Sequence, residues 1–370
     1  MRVAVVGGGC VGLVVAGDLA AGRCGADGES VTLYERDELG SGATGRAAGI
    51  CYDAFADPTD AAVAARALDR YREWGLLSPR PYVWVARDDD DAPAVRDQAA
   101  EMRALGRPVG TVAPDTLGER YPAIATDGLT ACAVTEAAGT VDPDAVVAQM
   151  ADRAQRAGAT IETGTPVSLA GPTAVETTAG VESYDAVVVA AGPATASLVG
   201  EAGVSLALES YRAQALVTDP VAAELPSLYD ASREFYWRPR EGGLLVGDGA
   251  HAVDPRTCDT TADQSFVDSA LTRLRAATTL DPDSSRAWAG CCTATPDRDP
   301  LVGPVADGLW VAAGWQGHGL MRAPAVGEFL ADRLRGDESR IDAPLSEQFD
   351  PMRFDGDEQF HPLGDPTADW

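Results

Sequence analysis

Six residues near the amino terminus, Gly7-Gly8-Gly9-Cys10-Val11-Gly12, place glycines at 7, 9 and 12. That is the Gly-x-Gly-x-x-Gly spacing of a strand-to-helix turn that cradles a dinucleotide. Gly7 permits the tight turn, Gly9 lets the backbone approach a pyrophosphate, and Gly12 lets helix and strand pack closely. The pyrophosphate then meets free N–H groups at a helix N-terminus. Glu35, twenty-odd residues on, is suited to accept hydrogen bonds from ribose hydroxyls and disfavours a 2′-phosphate, which argues against NADP. A second run, Ser41-Gly42-Ala43-Thr44-Gly45-Arg46-Ala47-Ala48-Gly49, combines small residues with two donors, Thr44 and Arg46. Contact with a flat ring and a plain surface loop explain it equally well. A third, Gly314-Trp315-Gln316-Gly317-His318-Gly319-Leu320-Met321-Arg322-Ala323-Pro324, follows an apolar run and opens a helical one. It offers a second anion-friendly N-terminus, whose N–H groups suit a ring that gains negative charge on reduction; a capping loop with a structural His318 is the plainer alternative.

These residues need elements to hold them. Arg2 to Val6 reads as a buried parallel strand, Val11 to Ala21 as a helix and Ser30 to Tyr34 as a second strand, together one βαβ unit. Helical spacing recurs over Thr59 to Trp74, and Asp88 to Arg107 reads as a surface helix. Asp142-Pro143 is a helix start, with Ala145 to Arg156 helical. Strands are expected at Thr160 to Glu162, Ala174 to Thr177, Tyr184 to Ala190 and Leu309 to Ala313, and helices at Phe266 to Thr278 and Ala323 to Arg335. Glu209 to Thr218, Glu234 to Arg238 and Leu244 to Gly247 look antiparallel, with a turn at Gly242-Gly243. The pattern predicts an α/β protein with a discontinuous nucleotide-binding unit (1–80, 137–208 and 288–354), an inserted antiparallel unit (81–136 and 209–287) and an acidic C-terminal tail, 355–370.

Composition bounds the chemistry. The 370 residues include 57 acidic and 29 basic ones, for a net charge of −28. Every basic residue is Arg, and Lys and Asn are both absent. Scattered carboxylates of this kind read as a surface adapted to high salt, a halophilic trait, rather than as a docking face. Such a surface repels nucleic acid. Without Lys there is no pyridoxal Schiff base and no P-loop lysine. The seven Cys make no Cys-x-x-Cys pair, and the three His are dispersed, so no metal is expected. Met1 to Ala21 has a superficially signal-like profile, but its glycines and Asp18 place it in the fold. The odd Cys count then suggests free thiols in the cytoplasm, and no stretch is long and apolar enough to span a bilayer.

Taken together, Gly7–Gly12 with Glu35, Ser41–Gly49 and Gly314–Pro324 resemble the D-amino-acid oxidase, glycine oxidase and sarcosine oxidase family of FAD enzymes. Gly139-Thr140-Val141-Asp142-Pro143, Asp185–Gly192, Thr295–Pro304 and Phe349–Phe354 fit the same pattern, so the resemblance covers nearly the whole chain in order. It implies a Rossmann-like FAD domain with an antiparallel sheet roofing the flavin. The implied reaction is oxidation of a carbon–nitrogen bond in an amino acid or a secondary or tertiary amine, with hydrolysis of the imine. Electrons then pass to oxygen or to a carrier. The implied cofactor contacts are Gly7, Gly9, Cys10, Val11, Gly12, Glu35, Arg36, Ala43, Thr44, Arg46, Ala47, Ala48, Gly49, Val167, Ala191, Gly192, Gly314, Gly317, His318, Gly319, Leu320 and Met321.

Three departures limit the resemblance. The slot of the flavin-bearing Cys in covalent members falls on Gly290, with Cys291 and Cys292 just after, so FAD is expected to be non-covalent. The slot of the glycine-oxidase carboxylate-binding Arg falls on Cys292, and that of the sarcosine-oxidase lysine on Met321. A cation for a substrate carboxylate must then come from Arg322, Arg46, Arg212, Arg238 or Arg298. If Arg238 faces the flavin, Tyr236 shares that face and Trp237 does not. His318, Arg322, Tyr236, Arg238 and Arg46 are the candidate catalytic set. Two other readings stand beside the amine oxidoreductase: an FAD dehydrogenase of a hydroxy compound, motivated by the empty anchor slots, and a non-catalytic flavin-binding subunit.

Overall fold

The computed structural model describes residues 1–22, 30–254, 256–337, 339, 341–355, 358 and 360. Most of the 355–370 tail therefore lies outside the described residues. Two large sheets organise the chain. The first runs in the order Leu301–Ala306, Leu309–Ala313, Ala186–Val189, Arg2–Val6, Ser30–Tyr34 and Thr160–Glu162, parallel except for its first strand. Its Val-rich strands are buried on both faces, as parallel strands must be. The helix Cys10–Ala21 is buried over all but Asp18 and Ala21, because the helices Pro143–Arg156 and Gly319–Arg335 pack against it. Arg70 holds Asp18 through two bonds of 2.6 and 2.7 Å, so that one carboxylate does not stand unpaired in the layer.

The second sheet has eight strands, in the order Ser284–Ala294, Glu209–Thr218, Gly243–Ala252, Phe235–Arg240, Ser227–Asp230, Tyr82–Ala86, Ala131–Thr135 and Val109–Thr111. All neighbours are antiparallel except Ser227–Asp230 beside Tyr82–Ala86. One face packs Trp237, Leu216, Val246 and Leu228 against the helix Gln264–Ala277. The other face turns towards the first sheet.

Most expected elements are found, and the differences have physical causes. The helix at Asp88 to Arg107 spans Ala92–Ala104 and buries Ala92, Val95, Ala99 and Met102, so it covers the second sheet rather than lying in solvent alone. The hairpin turn is Glu241-Gly242, with φ of 57° and 82°, and Arg240 pairs directly with Gly243. Two positive φ values are what a two-residue hairpin of the I′ type requires. The last long helix begins at Gly319, four residues before the expected start at Ala323. Pro324 lies inside it and cannot donate to the Leu320 carbonyl, and the Tyr71 hydroxyl takes up that oxygen at 2.6 Å. This substitute bond lets the helix continue back to His318.

Candidate flavin site

The glycine loop has the geometry its spacing predicts. Gly7 adopts φ 114°, and a Cβ there would collide with the Ala190 carbonyl at the end of the Ala186–Val189 strand, next to Ala191 and Gly192. A Cβ on Gly12 would strike the Gly7 carbonyl, and one on Gly9 would lie 3.0 Å from Thr44 Oγ1. Thr44 in turn accepts from the Cys10 N–H at 3.1 Å, which ties the Ser41–Gly49 loop to the helix N-terminus. Glu35 stands over this loop. Its carboxylate accepts from Gly8 N at 2.7 Å and Asp37 N at 2.9 Å, which leaves lone pairs for ribose hydroxyls. Arg36 is exposed and paired with Asp37, and Val167 packs half-buried in the same cluster as Ala191. Backbone that side chains would fill, a carboxylate at the second strand end and a helix N-terminus together fit the adenosine and pyrophosphate of a dinucleotide.

The Ser41–Gly49 loop continues beneath the second sheet. Ala47 and Ala48 pack half-buried, and Gly49 adopts φ 69° where a Cβ would also strike the Val141 carbonyl, so glycine is required there on both counts. The strand Ile50–Cys51 pairs with Gly139–Thr140, so the Gly139–Pro143 motif supports this loop from below. Arg46 folds back on its own loop, donating to the Ser41 and Gly42 carbonyls, while its backbone carbonyl accepts from Trp288 Nε1 at 3.1 Å.

From the opposite side comes Gly314–Gly319. Gly314 N donates to Thr293 Oγ1 and Gln316 N to the Thr293 carbonyl, which hold the loop against the strand Ser284–Ala294. His318 occupies the N-cap position of the helix, with its ring edge-on to Phe55 at 5.9 Å. Burial, aided by the nearby Arg322 cation, pushes its pKa down to about 3, so its imidazole is neutral at ordinary pH. Leu320 and Met321 are buried in the core, and no cation stands in the Met321 slot.

The candidate arginines separate clearly. Arg322, one of the five candidates, is already paired with a carboxylate. It is 3% exposed, lies 2.8 Å from Asp60, and sits over the rings of Phe55 and Phe349. Arg212 is committed on the far face of the second sheet, to Asp263 at 2.7 Å and to the carbonyls of Asp259 and Thr261. Arg298 lies in a left-handed turn with φ 71° after Thr295. Arg238 differs from these. It is 5% exposed, and its recorded bond is a 3.4 Å contact with the Pro239 carbonyl. Its Nε has no partner, as is true of Arg322 Nε and Nη1, but unlike Arg322 it has no carboxylate within ion-pair distance among the described residues, Asp142 acting on it only from farther off. Burial and the neighbouring Arg240 cation push its pKa down to about 10. One guanidinium nitrogen lies 3.4 Å from where a Gly49 Cβ would be, so Arg238 faces the flavin loop. Tyr236 shares that face and Trp237, fully buried, points to the other, as the period of two predicts.

Tyr211, Ala215 and Trp288 were not singled out from the sequence, and registers along the sheet put them on this face together with Gly290 and Cys292. A Cβ on Gly290 would touch Arg46, and one on Gly317 would lie 3.4 Å from the Tyr211 hydroxyl. Cys292 therefore shares the flavin-facing side with Gly290 while Cys291 turns away, and burial lifts the Cys292 thiol to about 11, keeping it protonated. Gly247 makes room for the Tyr236 ring, since a Cβ there would clash with it. An isolated glycine inside an apolar strand was the signal that could have found that approach.

A Rossmann-type parallel sheet, a dinucleotide loop and an antiparallel roof closing over a second glycine junction define a flavin-dependent oxidoreductase. Residues 2–333 match the FAD dependent oxidoreductase family, and the chain belongs to it. Its cofactor is FAD. Glycine oxidase of Geobacillus kaustophilus is 28% identical over 371 residues, covering 93% of this chain and 96% of that protein. The crystal structure of glycine oxidase from that organism superimposes with a TM-score of 0.84 at 25% identity, covering 96% and 100% of the two chains. L-proline dehydrogenase from P. horikoshii gives a TM-score of 0.86 at 26% identity, covering 95% and 97%. Among the described residues no helix is long and apolar enough to cross a membrane, and no three metal-ligating side chains gather.

Proposed function

We propose that this chain oxidises the C–N bond of an amino acid, or of a secondary or tertiary amine bearing a carboxylate, with that carboxylate held by Arg238. The observation that carries the reading is a buried guanidinium without a carboxylate partner, on the sheet face that roofs the flavin loop. A charge so placed is costly until an anion meets it. Relatives named glycine oxidase and L-proline dehydrogenase support the amino-acid class. Bound FAD supplies the two-electron acceptor for the C–H bond next to nitrogen. The protein's part is orientation. Arg238 fixes the carboxylate end, Tyr236 and Tyr211 line the roof, the Tyr211 phenol kept protonated by its burial, and the Gly314–Gly319 loop and Ser41–Gly49 loop bracket the ring. Neutral His318 contributes shape and backbone rather than charge. The product imine is hydrolysed by water, and the electrons leave to oxygen or to a carrier.

The cofactor-holding unit in this reading is 1–80, 137–208 and the chain after the roof strand Ser284–Ala294, with 81–136 and 209–294 forming the roof. The six free cysteines among the described residues support a reducing, cytoplasmic setting. The test is anaerobic mixing of the FAD-loaded protein with amino acids, amines and hydroxy acids at high salt. Bleaching of the flavin band by amino acids or amines is the expected result. Bleaching by hydroxy acids alone would replace this reading with a hydroxy-compound dehydrogenase.

A further inference from the structure

Arg238 is not alone on the roof. Arg240 follows two residues later on the same strand face, about 6.7 Å along. Its side chain is 8% exposed, lies over the Trp288 ring at 5.8 Å, and has a buried Nη1 without a hydrogen-bond partner. Arg286 reaches the same Trp288 ring from the Ser284–Ala294 strand, at 5.1 Å, and pairs across the sheet with Val217 on the flavin-facing side. The carboxylate paired with both Arg240 and Arg286 is Glu241, at 3.1 and 2.6 Å. Glu241 is 54% exposed and sits in the hairpin turn, so its share of the pairing is solvent-screened. A separate hollow of about 520 Å³ that Arg240 borders with Leu225 and Leu244 lies at the hairpin end on the helix-covered side of the sheet, away from Arg238. Arg240 and Arg286 thus share one solvent-screened carboxylate at one end of the roof, two residues from Arg238, in a chain whose net charge is −28. Arg240 is close enough to disfavour the charge on Arg238, so the two cations repel until anions separate them.

Resting on the reading that Arg238 holds the substrate carboxylate, we infer that the substrate carries a second carboxylate, received by Arg240 at the Trp288 end of the roof, with Arg286 at its mouth. The substrate class is a dicarboxylic amino acid, or a glycine whose nitrogen bears a carboxyalkyl group. Two carboxyl carbons separated by two or three methylene-type carbons span about 4 to 5 Å at ~1.5 Å per bond. That spacing lies within reach of two arginine stems rooted two residues apart. A neutral amino acid would leave Arg240 facing Arg238 without an anion between them, which is the basis of selectivity.

The test uses binding, independent of oxidation. The FAD-loaded protein is titrated at fixed ionic strength with succinate and with butyrate, which share a chain length and differ by one carboxylate. The readout is the shift of the flavin visible spectrum. Wild type is expected to bind succinate at least about ten-fold tighter. Arg240→Gln should bring the two within about three-fold, and Arg240→Lys should keep most of the preference, since it keeps the charge. Glu241→Gln should tighten succinate by removing the competing carboxylate. Equal binding of both acids by wild type, or a succinate preference that survives Arg240→Gln, overturns the inference while leaving Arg238 as an anchor. A wild type that binds neither acid overturns the Arg238 reading, and this inference with it.

Discussion

Replacing Arg238 by Met should raise the stability of the ligand-free protein and weaken carboxylate binding at the same time. The guanidinium is 5% exposed, and its pKa is pushed down to about 10 by burial and by Arg240. At about 1.4 kcal/mol per pH unit, that fall corresponds to roughly 3 kcal/mol of unfavourable charge burial. Met keeps most of the aliphatic stem and removes the charge, so the expected gain is about 1 to 3 kcal/mol after some lost packing. With an unfolding entropy near 2.1 cal/mol/K per residue, the 370-residue chain should melt about 1 to 4 °C higher. The sign with pH follows from proton counting. The native state binds the proton less well than the unfolded chain, so the deficit is present below about 10 and fades as pH rises from there. The gap between variant and wild type should therefore narrow above that pH. Loss of the charged partner should weaken carboxylate binding by about 2 to 5 kcal/mol, some thirty-fold to several thousand-fold. Calorimetry of the FAD-loaded protein, with and without a carboxylate ligand, measures both effects. A variant that melts several degrees lower and binds carboxylates as before would refute the reasoning, because Arg238 would then be a paired structural residue.

Other outcomes follow from the same geometry. Gly12→Ala drives a Cβ into the Gly7 carbonyl, so the purified variant should carry little flavin, read as the ratio of flavin to protein absorbance. Thr44→Val removes the acceptor for Cys10 N and should cost about 1 kcal/mol of helix-cap energy, seen as weaker FAD retention on dialysis. Asp60→Asn strands the buried Arg322 and should destabilise the protein by about 3 to 5 kcal/mol in thermal melts, with KM changed far less than by Arg238→Met. Because His318 is held neutral by a pKa near 3, the kcat profile should show no His318 inflection between pH 5 and 8. An inflection there that disappears in His318→Gln would contradict this.

Much of the cofactor site was legible because its constraints are local. Gly7, Gly9 and Gly12 act within one turn, Glu35 stands one strand away, and the strand limits Arg2–Val6 and Ser30–Tyr34 were readable from apolar runs bounded by glycine and charge. The period of two alone assigns Tyr236 and Trp237 to opposite faces of their strand. The arginines were not legible in this way. Composition identified them as the strong cations but gave no means to rank Arg212, Arg238 and Arg322, since each lies in an equally plausible motif.

Ranking them needed partners far apart in the chain. Asp60 claims Arg322 from a helix about 260 residues earlier in sequence, and Asp263 claims Arg212 across the back of the roof. Arg238 is left facing Gly49 because the Phe235–Arg240 strand is laid over that loop by sheet registers with long sequence separations. The late start expected for the last helix has the same origin: Pro324 reads locally as a beginning, and only the distant Tyr71 hydroxyl lets the helix run back to Gly319. The sequence by itself determined the cofactor fold, because backbone geometry at glycine is a property of the residue. Which of the candidate arginines meet a carboxylate was decided by tertiary structure, because whether a buried charge is neutralised depends on which carboxylates the fold brings to it.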